Sequence, residues 1–216
     1  MASSPTAESR VARKRREARA RIIAAAEQLT RDRPIEDLTI GDITSAADVG
    51  HGTFYLHFKS KYEVLLPIVR ATTEQWDREI QVALGERDDP AEVVGLSTRY
   101  MGRRMHRDPL WRWLLKEGGL PLELIKDSLG RFSARDFGRG LLSGRFQVAD
   151  LAAANNFMGG GFVAGLLASF EADDPDTAID HVAELILRTM GLAVADAARI
   201  AHEPLQPLSN ETSTEN

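Results

Sequence analysis

Cysteine is absent from the 216-residue sequence. That excludes a disulfide framework, thiolate chemistry and cysteine-ligated zinc, and it suits a reducing cytoplasm, the expected compartment. The N-terminus has no apolar signal segment; its first run is rich in Ser, Arg and Ala. The longest apolar stretch, residues 157–170, falls short of the roughly 20 residues that span a bilayer. It reads as a buried helix, and no membrane partner is expected. Enzyme motifs are missing as well. There is no Gly-x-x-x-x-Gly-Lys phosphate loop and no Gly-x-Ser-x-Gly elbow. His202-Glu203 runs into Pro204 without the second histidine of a zinc-protease helix. Gly138-Arg139-Gly140 lies in a helical segment with no strand before it, which excludes a dinucleotide site. His51 and His57, six residues apart, do not share a helix face, so they make no metal pair. No catalytic residue, cofactor or metal is expected.

Hydrophobic residues make up 43%, enough for a packed core, and the net charge is −5. The distribution of charge says more than its sum. Residues 1–24 hold seven basic side chains (Arg10, Arg13, Lys14, Arg15, Arg16, Arg19, Arg21) against Glu8 and Glu17. Residues 171–216 hold ten acidic side chains against Arg188 and Arg199. A basic end on an acidic chain is the electrostatic footprint of phosphate binding.

Strand alternation of useful length is absent, whereas helical spacing recurs almost throughout. The expected class is all-α with about nine helices. Residues 1–12 read as a disordered basic tail, which could lie in a minor groove. Residues 13–59 read as a small helical domain, 60–203 as a larger one, and 204–216 as a polar, disordered tail. In the first domain Ile22, Ala25, Ala26 and Leu29 form one apolar face. Thr39 reads as a helix cap with Asp42 three residues on, and Ser60 with Glu63 repeats the signal. Asp48, Gly50 and Gly52 mark a tight turn. The last helix is expected to run from Asp174-Pro175 to a point before Pro204.

Two short helices about a glycine-containing turn form a helix-turn-helix over Thr39–Lys61. Ile40, Ile43 and Ala47 supply a buried face, Val49 plugs the turn, and Phe54 and Phe58 anchor the second helix from inside. His51, Gly52, Thr53, Tyr55, Leu56 and His57 are left to face outward. Thr53 and Tyr55 carry hydroxyls for phosphate oxygens, and Gly52 permits close backbone approach. His51 stands at the helix start, the part that meets base edges. Lys59 and Lys61 can reach phosphates as point charges.

The pattern Arg21-Ile22-Ile23-x-Ala25-Ala26-x-x-Leu29, Leu38-Thr39-Ile40-x-Asp42-Ile43-x-x-Ala46-Ala47-x-Val49, Gly52-Thr53-Phe54-Tyr55-x-His57-Phe58-x-Ser60-Lys61 resembles the TetR family of bacterial regulators over residues 15–66. The resemblance implies an all-helical homodimeric repressor that binds a palindromic double-stranded operator and releases it on binding a small-molecule effector. It places Thr39 near phosphate and Thr53, Tyr55, His57 and Lys61 as phosphate and groove contacts; the reading of the residues adds Arg16, Gly50, His51, Gly52 and Lys59 to the expected DNA-binding set. Gly50 stands where the family often has Ser, and His51 where it often has Lys or another polar residue. A DNA-binding protein without a ligand, acting architecturally or through a protein partner, is the alternative; an enzyme with an accessory DNA-binding domain is a more distant one.

Large side chains cluster between Trp76 and Phe170. The resemblance places a ligand cavity among the helices from about Ser60 to Leu142. Candidate lining residues are Trp76, Tyr100, Arg104, Trp111, Leu114, Glu117, Phe132, Asn155 and Asn156. The two asparagines lie in an otherwise apolar helix, where burial requires partners. The set favours a mostly hydrophobic, aromatic-containing ligand. The last two helices are expected to form the dimer interface through Phe162, Leu166, Phe170, Val182, Leu185, Ile186, Thr189 and Met190, with Gly161 and Gly165 permitting close approach.

Overall fold

Ten α-helices and two short 3-10 helices form the regular structure of the described residues, 9–116 and 122–206 of the computed structural model, with no strand among them. The all-α class read from the sequence is the class observed. The chain divides into two compact units, Met1–Ala71 and Thr72–Asn216. The division falls later than residue 59, the expected end of the small domain, because a 3-10 turn at Tyr62–Val64 packs on the first helix.

In the first unit, α1 (Arg10–Asp32) starts at Ser9, whose hydroxyl accepts the Ala12 N–H at 3.1 Å. The helix therefore begins inside the segment 1–12 expected to be a tail. Ala18, Ile22, Ala26 and Thr30 are buried at four-residue steps, the spacing of one helix face. Pro34 follows its end, and a 3-10 turn at Ile35–Asp37 carries Ile35 and Leu38 into the core. Next come α2 (Ile40–Ala46) and α3 (His51–Tyr55), and α4 (Leu65–Leu84) begins in this unit. The Ser60–Glu63 signal does not open α4. It makes the 3-10 turn, with the Glu63 carboxylate accepting the Lys59 N–H at 2.7 Å.

The second unit contains α5 (Pro90–Arg107), α6 (Pro109–Lys116), α7 (Leu122–Leu142), α8 (Leu151–Ser169), α9 (Pro175–Thr189) and α10 (Val194–His202). Asp89, Asp150 and Asp174 cap α5, α8 and α9 with their carboxylates. α5 is the central helix, in contact with α6, α7, α8, α9 and α10. A buried ion pair ties it to α9: the Arg99 guanidinium donates to both oxygens of Asp180 at 2.8 and 3.0 Å, and Arg103 joins the same carboxylate. The expected single last helix is two helices. Gly191 adopts φ +94°, a conformation open to glycine, and breaks the chain direction between α9 and α10.

α8 carries no charged side chain, and its 19 residues are long and apolar enough to cross a membrane by length and composition. In this unit it packs on α5, α7 and α9 instead. A Cβ on Gly165 would stand 2.2 Å from Val182 Cγ2 of α9. Close approach at Gly165 therefore lies within the subunit, and valine has little rotamer freedom to yield. Gly165→Ala is expected to destabilise the second unit by about 1–2 kcal/mol, at the modest end of overpacking effects, read as a lower midpoint in thermal unfolding.

Candidate nucleic-acid interface and ligand cavity

The first candidate site is the motif itself. Thr39 accepts the Asp42 N–H at 3.0 Å, and the Asp42 carboxylate accepts the Thr39 N–H at 2.8 Å, so both cap bonds form. The Thr39 N–H and hydroxyl, both donating to it, and then the Arg33 cation hold the Asp42 carboxyl below its ordinary range. Removing the cap with Thr39→Ala is expected to cost about 1 kcal/mol, measured as a shift in the denaturation midpoint. A turn at Asp48, φ +50°, then leads to Gly50 and α3. Phe54 is fully buried and stands 5.7 Å from the Phe58 ring. The opposite side presents Tyr55 and Leu56, 57% and 65% exposed, with His51 and Gly52 also exposed and Thr53 half-buried. Gly50 and Gly52 have open space where a side chain would begin. The His51 ring lies against the start of α2, where Gly41 leaves room: a Cβ there would stand 3.8 Å from His51 Nε2.

Thr39 is the helix cap read from the sequence, and its hydroxyl is engaged there. Two other expected contacts are placed differently from their reading in the sequence. His57 is half-buried, and its Nε2 is shielded from solvent with no hydrogen-bond partner among the described residues. Burial first, then the Arg15 and Arg19 cations, push its pKa down. Lys61 Nζ donates to the carbonyls of Glu36 and Leu38 at 2.6 and 2.7 Å, which fastens the loop before α2. Arg16 and Lys59 are exposed.

The second site lies in the second unit. A cavity of about 140 Å³ is bounded by residues of α4, α5, α7, α8 and α9. Its apolar wall includes Ile80, Met101, Phe132, Phe137, Met158 and Phe162. Its polar groups are Asp77, Ser97, Thr98, Ser133, Asp136, Asn155 and Asn156. The Thr98 and Ser133 hydroxyls donate to the carbonyls of Val94 and Gly130. The Ser97 hydroxyl is shielded and has no partner among the described residues. One guanidinium joins the two carboxylates. Arg135 donates to Asp136 at 2.7 and 3.0 Å and to Asp77 at 3.0 Å twice. The bonds to Asp136, then those to Asp77, raise the Arg135 pKa above its ordinary value.

Of the ligand residues expected from the sequence, Phe132, Asn155 and Asn156 line this cavity. Trp76, Tyr100, Arg104, Trp111 and Leu114 do not. Arg104 pairs with Glu79 and lies over the Trp76 ring, while the Tyr100 hydroxyl donates to the Gln206 carbonyl. Trp111 and Leu114 are buried elsewhere in the core. Glu117 lies outside the described residues. The two carboxylates were missed. A signal existed for Asp77, which sits eight residues after Val69 and three before Ile80, both buried, a charge on the inward side of α4.

The expected dimer residues divide as well. Leu166, Ile186 and Met190 are buried within the subunit, and Phe162 and Val182 are half-buried against their own core. Phe170 stacks on His106 at 4.8 Å. Leu185 and Thr189 are exposed. The exposed stripe of α8 is instead Ala153, Phe157, Gly160, Gly161, Ala164 and Leu167. α8 is apolar around its whole circumference, so spacing alone does not say which face is inside.

Comparison with known proteins assigns both units. The family model described as "Bacterial regulatory proteins, tetR family" matches residues 22–68, and the model "Tetracyclin repressor-like, C-terminal domain" matches residues 89–203. The chain belongs to the TetR family. It is a DNA-binding transcriptional regulator of that family, and the family is one of regulators rather than enzymes. Among solved structures, RolR in complex with resorcinol is 32% identical; the match covers 92% of this chain and 100% of RolR, with a TM-score of 0.82. RolR without ligand matches at 29% identity over 88% of this chain and 100% of RolR, TM-score 0.78. The regulator EthR of Mycobacterium tuberculosis is 35% identical over 72 residues, 33% of this chain and 32% of EthR. The match thus spans about a third of the length of that curated relative.

Proposed function

We propose that this TetR-family chain is a cytoplasmic homodimeric repressor that leaves its palindromic operator when a small hydroxylated aromatic molecule enters the second-unit cavity. The observation that carries the effector is the cavity: about 140 Å³, aromatic-walled, with Asp77 and Asp136 among its lining residues. An apolar protein cavity of about 150 Å³ takes up one benzene-sized ring. Ring hydroxyls donate to carboxylates, and hydrogen bonds to charged acceptors are the strong ones. The Ser97 hydroxyl is a further partner for a bound hydroxyl. RolR, similar over almost the whole chain, has been solved with resorcinol, a molecule of this class.

His51, Gly52, Thr53 and Tyr55 are the groove and phosphate contacts, joined by Gly50 at the start of α3 and by Arg16 and Lys59 at the flanks. A second copy of the chain packs on the uncharged α8 stripe and Leu185. The stripe places a large knob, Phe157, one turn from Gly160 and Gly161, the self-complementary relief that a two-fold contact needs. Asp77 and Ile80 of the cavity belong to α4, whose chain runs unbroken from Leu65, just after the motif. Effector contact with α4 would alter the separation of the two recognition helices, which must match half-sites about 34–36 Å apart or a multiple of it.

Selection of duplexes from a random pool, followed by footprinting and calorimetric titration with resorcinol, tests this reading. Two inverted half-sites and saturable 1:1 binding per chain are expected. A single unsymmetrical footprint would overturn the dimer, and no heat of binding for resorcinol or its mono- and dihydroxybenzene relatives would overturn the effector class.

A further inference from the structure

The recognition helix α3 spans five residues and has no side-chain cap at Gly50. A helix so short does not hold its shape alone in water. Reading bases nevertheless requires side chains fixed to within about 0.5 Å. Phe54 anchors the inner side of α3, and its two flanks are held by α1. The Arg15 guanidinium donates to the carbonyl of Leu56, the residue that closes α3, at 3.2 Å. The Arg21 guanidinium donates to the carbonyl of Asp48 at 3.1 Å and lies 3.6 Å from its carboxylate. Asp48 holds φ +50°, a left-handed conformation that costs a non-glycine residue free energy, so the turn before α3 needs outside support. Between these two grips, Arg19 lies over the Phe58 ring at 5.2 Å.

We propose that Arg15 and Arg21 are positioning residues for DNA reading. They hold both ends of the segment 48–56 from α1, and their guanidinium groups serve protein carbonyls rather than phosphates. The idea rests on α3 being the element that reads the operator. It divides the basic run at the start of the chain into cations that face DNA and cations that shape the reader. The two roles leave opposite signatures. Losing a phosphate ligand weakens binding to all sequences alike and makes the salt dependence shallower by about 0.9 in log–log slope per contact. Losing a positioning residue weakens only the selected sequence.

The experiment uses the full chain with Arg15→Ala, Arg21→Ala and both together. Affinities are measured for the selected duplex and for a shuffled duplex of equal length, between about 50 and about 200 mM salt. The double variant is expected to lose at least about tenfold on the selected duplex, to stay within about twofold on the shuffled one, and to keep its slope within about 0.3. Parallel loss on both duplexes with a slope shallower by about 1.8 would overturn the proposal, as would unchanged affinity for both. Amide hydrogen exchange on the DNA-free single variants checks the clamp separately. Faster exchange confined to residues 49–58 is expected, and exchange equal to the parent would overturn the clamp even where the double variant does not fold. A parent chain with no preference between the two duplexes would instead count against α3 as the reader, while the exchange result would still stand for or against the clamp.

Discussion

Phe54→Ala is expected to abolish operator binding and to leave the ligand cavity working. Phe54 is fully buried, and its ring contacts both Tyr55 and Phe58, so it joins the recognition helix to the core of the first unit. Replacing a buried phenylalanine by alanine costs about 3–5 kcal/mol. A unit the size of Met1–Ala71 has a total stability of roughly 4–10 kcal/mol at ordinary per-residue values. A large part of its margin is therefore lost, and what remains of α3 has no inner anchor. The cavity lies wholly in the second unit, where every lining residue falls after Thr72. Anisotropy with the selected duplex and calorimetry with resorcinol read the two units independently. Operator affinity within tenfold of the parent would contradict the placement of Phe54, and loss of resorcinol binding would contradict the division of labour.

Asp136→Asn is expected to raise the Kd for resorcinol by roughly 10- to 100-fold while operator affinity without resorcinol stays unchanged. The substitution keeps the shape of the side chain and removes its charge. Asp136 is 5% exposed, lines the cavity, and holds Arg135 through two hydrogen bonds. Hydrogen bonds to charged groups contribute about 1.5–3 kcal/mol, and each 1.4 kcal/mol is tenfold in affinity. Asparagine accepts a ring hydroxyl less strongly, and Arg135 is left with Asp77 as its charged partner. Calorimetric titration measures the change. An unchanged Kd would remove Asp136 from the effector site.

The motif was legible because its determinants are local. Thr39 with Asp42, and Phe54 with Phe58, are capping and packing signals within four residues of one another, and the structure shows both pairs as read. The division of the last helix was missed because Gly191 acts through one backbone angle, and a glycine in a helical run usually signals only a weaker helix. The cavity was legible only in part. Phe132, Asn155 and Asn156 line it as expected, whereas Trp76, Tyr100 and Trp111 are core or ion-pair neighbours, and its charged lining groups are aspartates from two helices distant in sequence. Asp77 and Asp136 are brought together by Arg135, and no spacing rule links Asp77 to an arginine 58 residues away. On α8 the apolar character is continuous, so the inward residues Leu166 and Met158 could not be told from the outward Phe157 and Leu167. The arginines of α1 looked like a solvated tail or a DNA arm; only the fold shows that Arg15 and Arg21 reach carbonyls 41 and 27 residues away.

Coupling between the cavity and the motif is tested most directly by titrating resorcinol into the complex of the full chain with its labelled, selected duplex. The anisotropy is expected to fall toward that of free DNA as the cavity fills, with the apparent Kd for the duplex rising at least about fivefold, the lower end of ordinary coupling between sites. An anisotropy that stays at the bound value, at resorcinol concentrations that calorimetry shows to saturate the protein, would contradict a ligand-released repressor.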